Sequence, residues 1–142
     1  MREATGNALL TMMMTSIIAI IMIFFVGSLS YSKAYKIKNY IVNEIEDNKG
    51  WDDNLMKNID DYLKNAGYYV RTKPCSNIVS STAITCNLVS NNSQYDYCVY
   101  SCGEGINKYY RVITHSKFEF PVVGSVVKFD VSGETEAFND FN

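Results

Sequence analysis

Residues 4–32 contain no charged side chain, and residues 8–29 read ALLTMMMTSIIAIIMIFFVGSL. Those 22 residues, as a helix rising about 1.5 Å per residue, cover the roughly 30 Å hydrocarbon core of a bilayer. Eleven of them are Leu, Ile, Phe or Val, each favouring insertion by roughly 0.3–0.6 kcal/mol, which outweighs the scattered Thr, Ser and Gly. A cleaved secretory signal would carry an apolar region of only about 7–15 residues ending in a small-residue site. The run here is longer, and Ser28-Leu29-Ser30 matches such a site poorly. A retained, single-pass transmembrane helix is the expectation.

The remainder is polar and tyrosine-rich, and 142 residues leave room for one domain beside a long helix. A net charge of -2 with mixed signs offers no basic face to a phosphate backbone, so no nucleic acid is expected as a partner. Charge counting around the apolar run sets Arg2 and Glu3 before it against Lys33, Lys36 and Lys38 after it, which would keep the C-terminal part inside. Four cysteines in the polar part, Cys75, Cys86, Cys98 and Cys102, argue instead for disulfides in an oxidising compartment. The cysteines carry more weight, so the C-terminal domain is expected outside the cytoplasm.

Helical periodicity does not stop at the membrane. Tyr31, Ala34, Ile37, Ile41 and Ile45 recur at three- and four-residue spacing, and Asn48-Lys49-Gly50 supplies a stop. The spacing predicts one helix through the bilayer and into an amphipathic stalk, over residues 1–48, with an α+β head over residues 49–142. In the head a second helix is predicted over residues 52–66, capped by Asp52 or Asp53 and closed by Gly67, with Leu55, Met56, Ile59, Tyr62 and Leu63 inward. Strands are predicted over 68–72, 82–89, 95–101, 109–120 and 126–131, separated by turn residues at 90–93, 103–105 and 121–124. Consecutive strands without intervening helices favour a small antiparallel sheet packed on one face by the helices.

A hairpin turn around Asn92 would bring Cys86 opposite Cys98, leaving Cys75 for Cys102; Cys75 with Cys86 and Cys98 with Cys102 stays open as an alternative. The cysteine spacings lack the close CxxC pairs of zinc ribbons, so no metal is expected. His115, the single histidine, falls inside a predicted strand, and no GxSxG, HExxH or phosphate-binding glycine loop occurs. The acidic residues at 52–53, 60–61 and 130–140 do not follow a calcium-loop pattern. Asn91-Asn92-Ser93 is formally a glycosylation sequon, a pattern of low specificity. The chain is therefore not expected to be an enzyme, and no catalytic residue, cofactor or small-molecule substrate is assigned.

An apolar N-terminal helix that continues as a stalk and packs on an antiparallel sheet resembles the type IV pilin and pseudopilin superfamily, including TadE-like minor pilins. The local support is Arg2-Glu3-Ala4-Thr5-Gly6 before Asn7-Ala8-Leu9-Leu10, which looks like a short leader cut between Gly6 and Asn7. Where such pilins usually carry glutamate, five residues after the cut, this sequence has Thr11; that looks more like a minor or tip-type subunit. The resemblance implies self-association, or contact with other pilin-like subunits, through the N-terminal helix. Small residues at Thr11, Thr15, Ser16, Ala19 and Gly27 would let other helices approach closely.

Overall fold

The computed structural model describes residues 2–72, 74–76, 78–81, 84–103, 105–119 and 126–138. The predicted turn at 121–124 lies outside them, as do residues 82–83, Glu104, Phe120 and the acidic Asp140. Helix α1 runs unbroken over Arg2–Asp47, a rod of about 69 Å. It ends as the Asn48-Lys49-Gly50 signal predicts: Lys49 adopts φ 52° and the Gly50 N–H reaches back to the Ile45 carbonyl at 3.0 Å, satisfying an otherwise orphaned helix-end acceptor.

Helix α2 spans Asp53–Asn65, with Asp52 at the N-cap accepting from the Asp53 N–H at 2.7 Å. Gly67 closes it at φ +59°. Leu55, Ile59 and Leu63 are buried, whereas Met56 is half-buried and Tyr62 is exposed at its rim. The Tyr62 ring stacks on Tyr40 of α1 with centroids 3.8 Å apart, joining the two helices at their edge.

Five strands follow, β1 (Ile78–Ser81), β2 (Ile84–Leu88), β3 (Tyr97–Cys102), β4 (Tyr109–Glu119) and β5 (Val126–Glu134). They form one antiparallel sheet in chain order. The fold is therefore α+β: a long N-terminal apolar helix, a second helix and an antiparallel sheet. Two expectations are corrected. Residues 68–72 are not a strand; Val70 makes one isolated bridge to Tyr95, and Pro74, which has no N–H, follows too soon for a ladder to extend. Strand β1 was not expected, because Ile78-Val79 sits among Ser, Thr and Asn residues that read as loop.

The face of the sheet carrying Tyr97, Val99, Tyr110, Val112 and Thr114 receives the second half of α1, with Ala34, Ile37, Ile41 and Ile45 each at most 2% exposed. Tyr31, counted in that stripe, is 53% exposed and lies at the margin, stacked on Phe129 of β5. Polar ties reinforce the contact. The buried Thr114 hydroxyl lies within hydrogen-bonding reach of the carbonyls of Ala34 and Val131. Lys33 Nζ donates to the Gly67 carbonyl, and Glu46 accepts from the Glu136 N–H. At Gly133 a Cβ would come within 2.7 Å of the Lys38 side chain, so the glycine leaves room for that stem to cross β5.

Candidate functional site

Two surfaces of the molecule are unusual, the bare half of α1 and the sheet face turned away from the helices. The first follows directly from sequence. Of the large apolar residues from Leu9 to Val26, Ile23 is half-buried and the others are at least 38% exposed, with Phe24 at 78%. This is one helix long and apolar enough to cross a membrane, with none of its apolar window buried in the protein. A helix apolar on all sides needs protein or lipid around it.

The hydroxyls on this segment are satisfied locally. Thr11 donates to the carbonyls of Asn7 or Ala8, Thr15 to those of Thr11 or Met12, and Ser16 to Met13. Turned back on their own backbone, they add little cost in an apolar medium. Thr11, Thr15 and Ala19, four residues apart, form one ridge, while Ser16 and Gly27 lie roughly 60–80° further round the helix. A Cβ at Gly27 would meet open space. Gly6 and Asn7 lie within the opening turns of α1.

The second surface belongs to the head. The pairing of β2 with β3 puts Cys86 directly opposite Cys102, and the disulfides are Cys86–Cys102 and Cys75–Cys98. Both pairings considered from the sequence are thus overturned. The register centres on residue 94, not 92, so Cys98 sits four residues from the position facing Cys86, about 13 Å along the strand. That exceeds the roughly 7 Å between Cα atoms that a disulfide can bridge.

The predicted turn at 90–93 is present, closed by the Ser93 N–H on the Ser90 carbonyl at 3.3 Å, but an irregular stretch follows it before β3, so residues 90–96 form a long excursion that displaces the register. The Ser90 hydroxyl accepts from the Val99 N–H at 2.8 Å, and the Arg71 guanidinium gathers the carbonyls of Ser90, Tyr95 and Tyr97. From α2, Asp60 accepts from the hydroxyls of Ser93 and Tyr97, both at 3.0 Å. Burial raises the Tyr97 phenol well above its ordinary range, and the neighbouring Asp60 charge works in the same direction. Ser93, the third residue of the formal sequon, is buried in this network.

Beyond the end of β2, Cys98 meets Cys75 of the loop before β1, and a pocket of about 330 Å³ opens beside them. His115 on β4 is lodged there. Its Nδ1 is 2.6 Å from Asp130 Oδ1 on β5, its register partner, and its Nε2 is 3.6 Å from Cys98 Sγ. With Nδ1–H donated to the carboxylate, Nε2 faces the sulfur. Lys117, two residues on, pairs with the buried Asp96 at 2.9 Å, and the Tyr68 hydroxyl donates to the His115 carbonyl. Burial raises the Tyr68 phenol well above its usual value, and the charge of Asp96 adds to this.

Sequence reasoning placed His115 in a strand but did not connect it to Asp130 or Cys98. The available signal was alternation, since Cys98, Ile113, His115 and Asp130 share one face once the register is known. Among the described residues, no three His, Cys, Asp or Glu side chains converge in a way that could hold a metal ion. No family model, curated protein or solved structure matches the chain.

Proposed function

We propose that this chain is a pilin-like structural subunit, a minor pilin or pseudopilin, held in the membrane as a single-pass protein with its head outside the cytoplasm. The observation that carries the reading is the division of α1. One continuous helix is bare and apolar along its first half and locked to a folded head along its second. Such a rod fixes the head rigidly relative to whatever surrounds its apolar end. Neighbouring copies can replace lipid around that end, so the same surface serves as anchor before assembly and as filament core after it. The two disulfides suit an oxidising compartment.

The reading makes the chain a non-enzymatic component whose partners are the membrane and other pilin-like helices. Mass analysis of the N-terminus of protein from its own membranes tests it, together with recovery in sheared surface fractions. Mature protein beginning at Asn7, present in the sheared fraction, is expected. Recovery solely as intact, detergent-extractable monomer would instead support a membrane-anchored binding module, a second reading favoured by the pocket beside His115 on the head's outer face.

A further inference from the structure

The two disulfides stand in different surroundings. Cys86–Cys102 joins opposed residues of adjacent strands, and both cysteines are 0% exposed. Cys75–Cys98 ties the half-buried Cys75, on an irregular loop, to the buried Cys98 on β3, and it borders the open pocket. The His115 imidazole stands with Nε2 3.6 Å from Cys98 Sγ. It becomes useful when that sulfur leaves as a thiolate, because a proton donor at the leaving group assists bond cleavage.

We propose that Cys75–Cys98 is a thiol–disulfide exchange site for an external dithiol, with His115 delivering a proton to the departing Cys98 sulfur. The thiolate of the dithiol attacks Cys75 Sγ, the more accessible sulfur, forming a mixed disulfide and breaking the Cys75–Cys98 bond. The bonding pair passes to Cys98 Sγ, which takes the proton from His115 Nε2. The second sulfur of the reagent, as thiolate, then attacks the reagent's first sulfur in the mixed disulfide, closing the cyclic disulfide and expelling Cys75 as a thiolate. The dithiol is oxidised by two electrons to its cyclic disulfide, and the protein disulfide is reduced by two. The two protons lost by the dithiol are balanced by those gained at Cys75 and Cys98, His115 being recharged from solvent.

Asp130 acts as a positioning residue, holding Nδ1 so that Nε2 faces the sulfur. Among the described residues lining the pocket, the other ionisable groups are Lys128 from β5, Lys117 from its own strand, Asp96 before β3 and Tyr100 on β3, while Thr72, Pro74 and Ser76 do not titrate. Reduction would release the Cys75 loop while Cys86–Cys102 still fastens β2 to β3.

Limited reduction of the full-length protein in detergent micelles by dithiothreitol, quenched by alkylation and read by peptide mass mapping, tests the assignment. Cys75 and Cys98 are expected to be labelled at least about tenfold faster than Cys86 and Cys102. His115→Gln, checked for the intact second disulfide, is expected to slow opening of the first by about tenfold or more at pH 6. The deficit should narrow towards pH 8, because the ring assists the leaving sulfur only while it carries a proton to give. Asp130→Asn, which keeps an acceptor for Nδ1, should retain more of the rate than Asp130→Leu, and equal rates in the two would remove Asp130 from the scheme. Simultaneous reduction of both disulfides, or a pH profile unchanged by His115→Gln, would overturn the proposal, and the first of these needs no variant to fold.

Discussion

The two halves of α1 share one backbone and one unbroken ladder of hydrogen bonds, yet their side chains answer to different solvents. Before residue 30 the apolar residues surround the helix and stay bare, as at Phe24, 78% exposed. After it they narrow to a stripe, and Ile41 is 0% exposed against the sheet. The contrast shows that apolar content alone does not decide what a helix buries against. Distribution around the axis does: an all-round coat calls for lipid or other helices, and a stripe calls for one protein face.

Breaking each half separately tests this division. The largest effect is expected from Ile17→Arg combined with Ile21→Arg, which adds about 6 kcal/mol against insertion. The doubly substituted chain should leave the carbonate-resistant membrane fraction while its head unfolds at an unchanged temperature; retention in the membrane would refute the span. The converse change, Ile41→Ala, should cost the head about 3 kcal/mol on denaturant unfolding, because a cavity opens between α1 and the sheet. Membrane retention should not move.

A third test sharpens the head's side of the comparison. Tyr97 and Tyr68 hold their phenolic protons more tightly when folded than an exposed tyrosine, chiefly because they are buried. Once pH passes the unfolded value near 10 the unfolded chain binds fewer protons than the folded one, so stability is complete below that pH and falls above it. Each such tyrosine adds about 1.4 kcal/mol of loss per pH unit. Tyr97→Phe should make the decline in unfolding free energy above pH 10 shallower by about that amount, and an unaltered slope would contradict the burial argument. The smallest effect is expected from Asp52→Ala, about 0.5–1 kcal/mol from the lost N-cap of α2, measurable by denaturant midpoint and absent from membrane partitioning.

The architecture was largely legible because its signals are local. The apolar run at residues 8–29, the stripe Ala34, Ile37, Ile41 and Ile45, and the cap-to-glycine frame from Asp52 to Gly67 each declare themselves within a few turns of chain. The outer face of the head was not legible. Its disulfide pairing failed because a register counted from a turn at Asn92 was two residues off, displaced by Arg71 and Asp60, which are distant in sequence from the excursion they hold. Strand β1 was hidden by its small polar neighbours, and residues 68–72 had strand-like composition without a partner edge of sufficient length.

By itself, then, the sequence determined that there is a long membrane-compatible helix, a second helix and a sheet, since periodicity and hydrophobic transfer act residue by residue along the chain. Only the tertiary structure decided which cysteines pair, and that His115 would stand between Asp130 and Cys98. Those outcomes depend on strand register, and register is set by the sum of remote contacts, so one small shift reassigns every side chain that faces another.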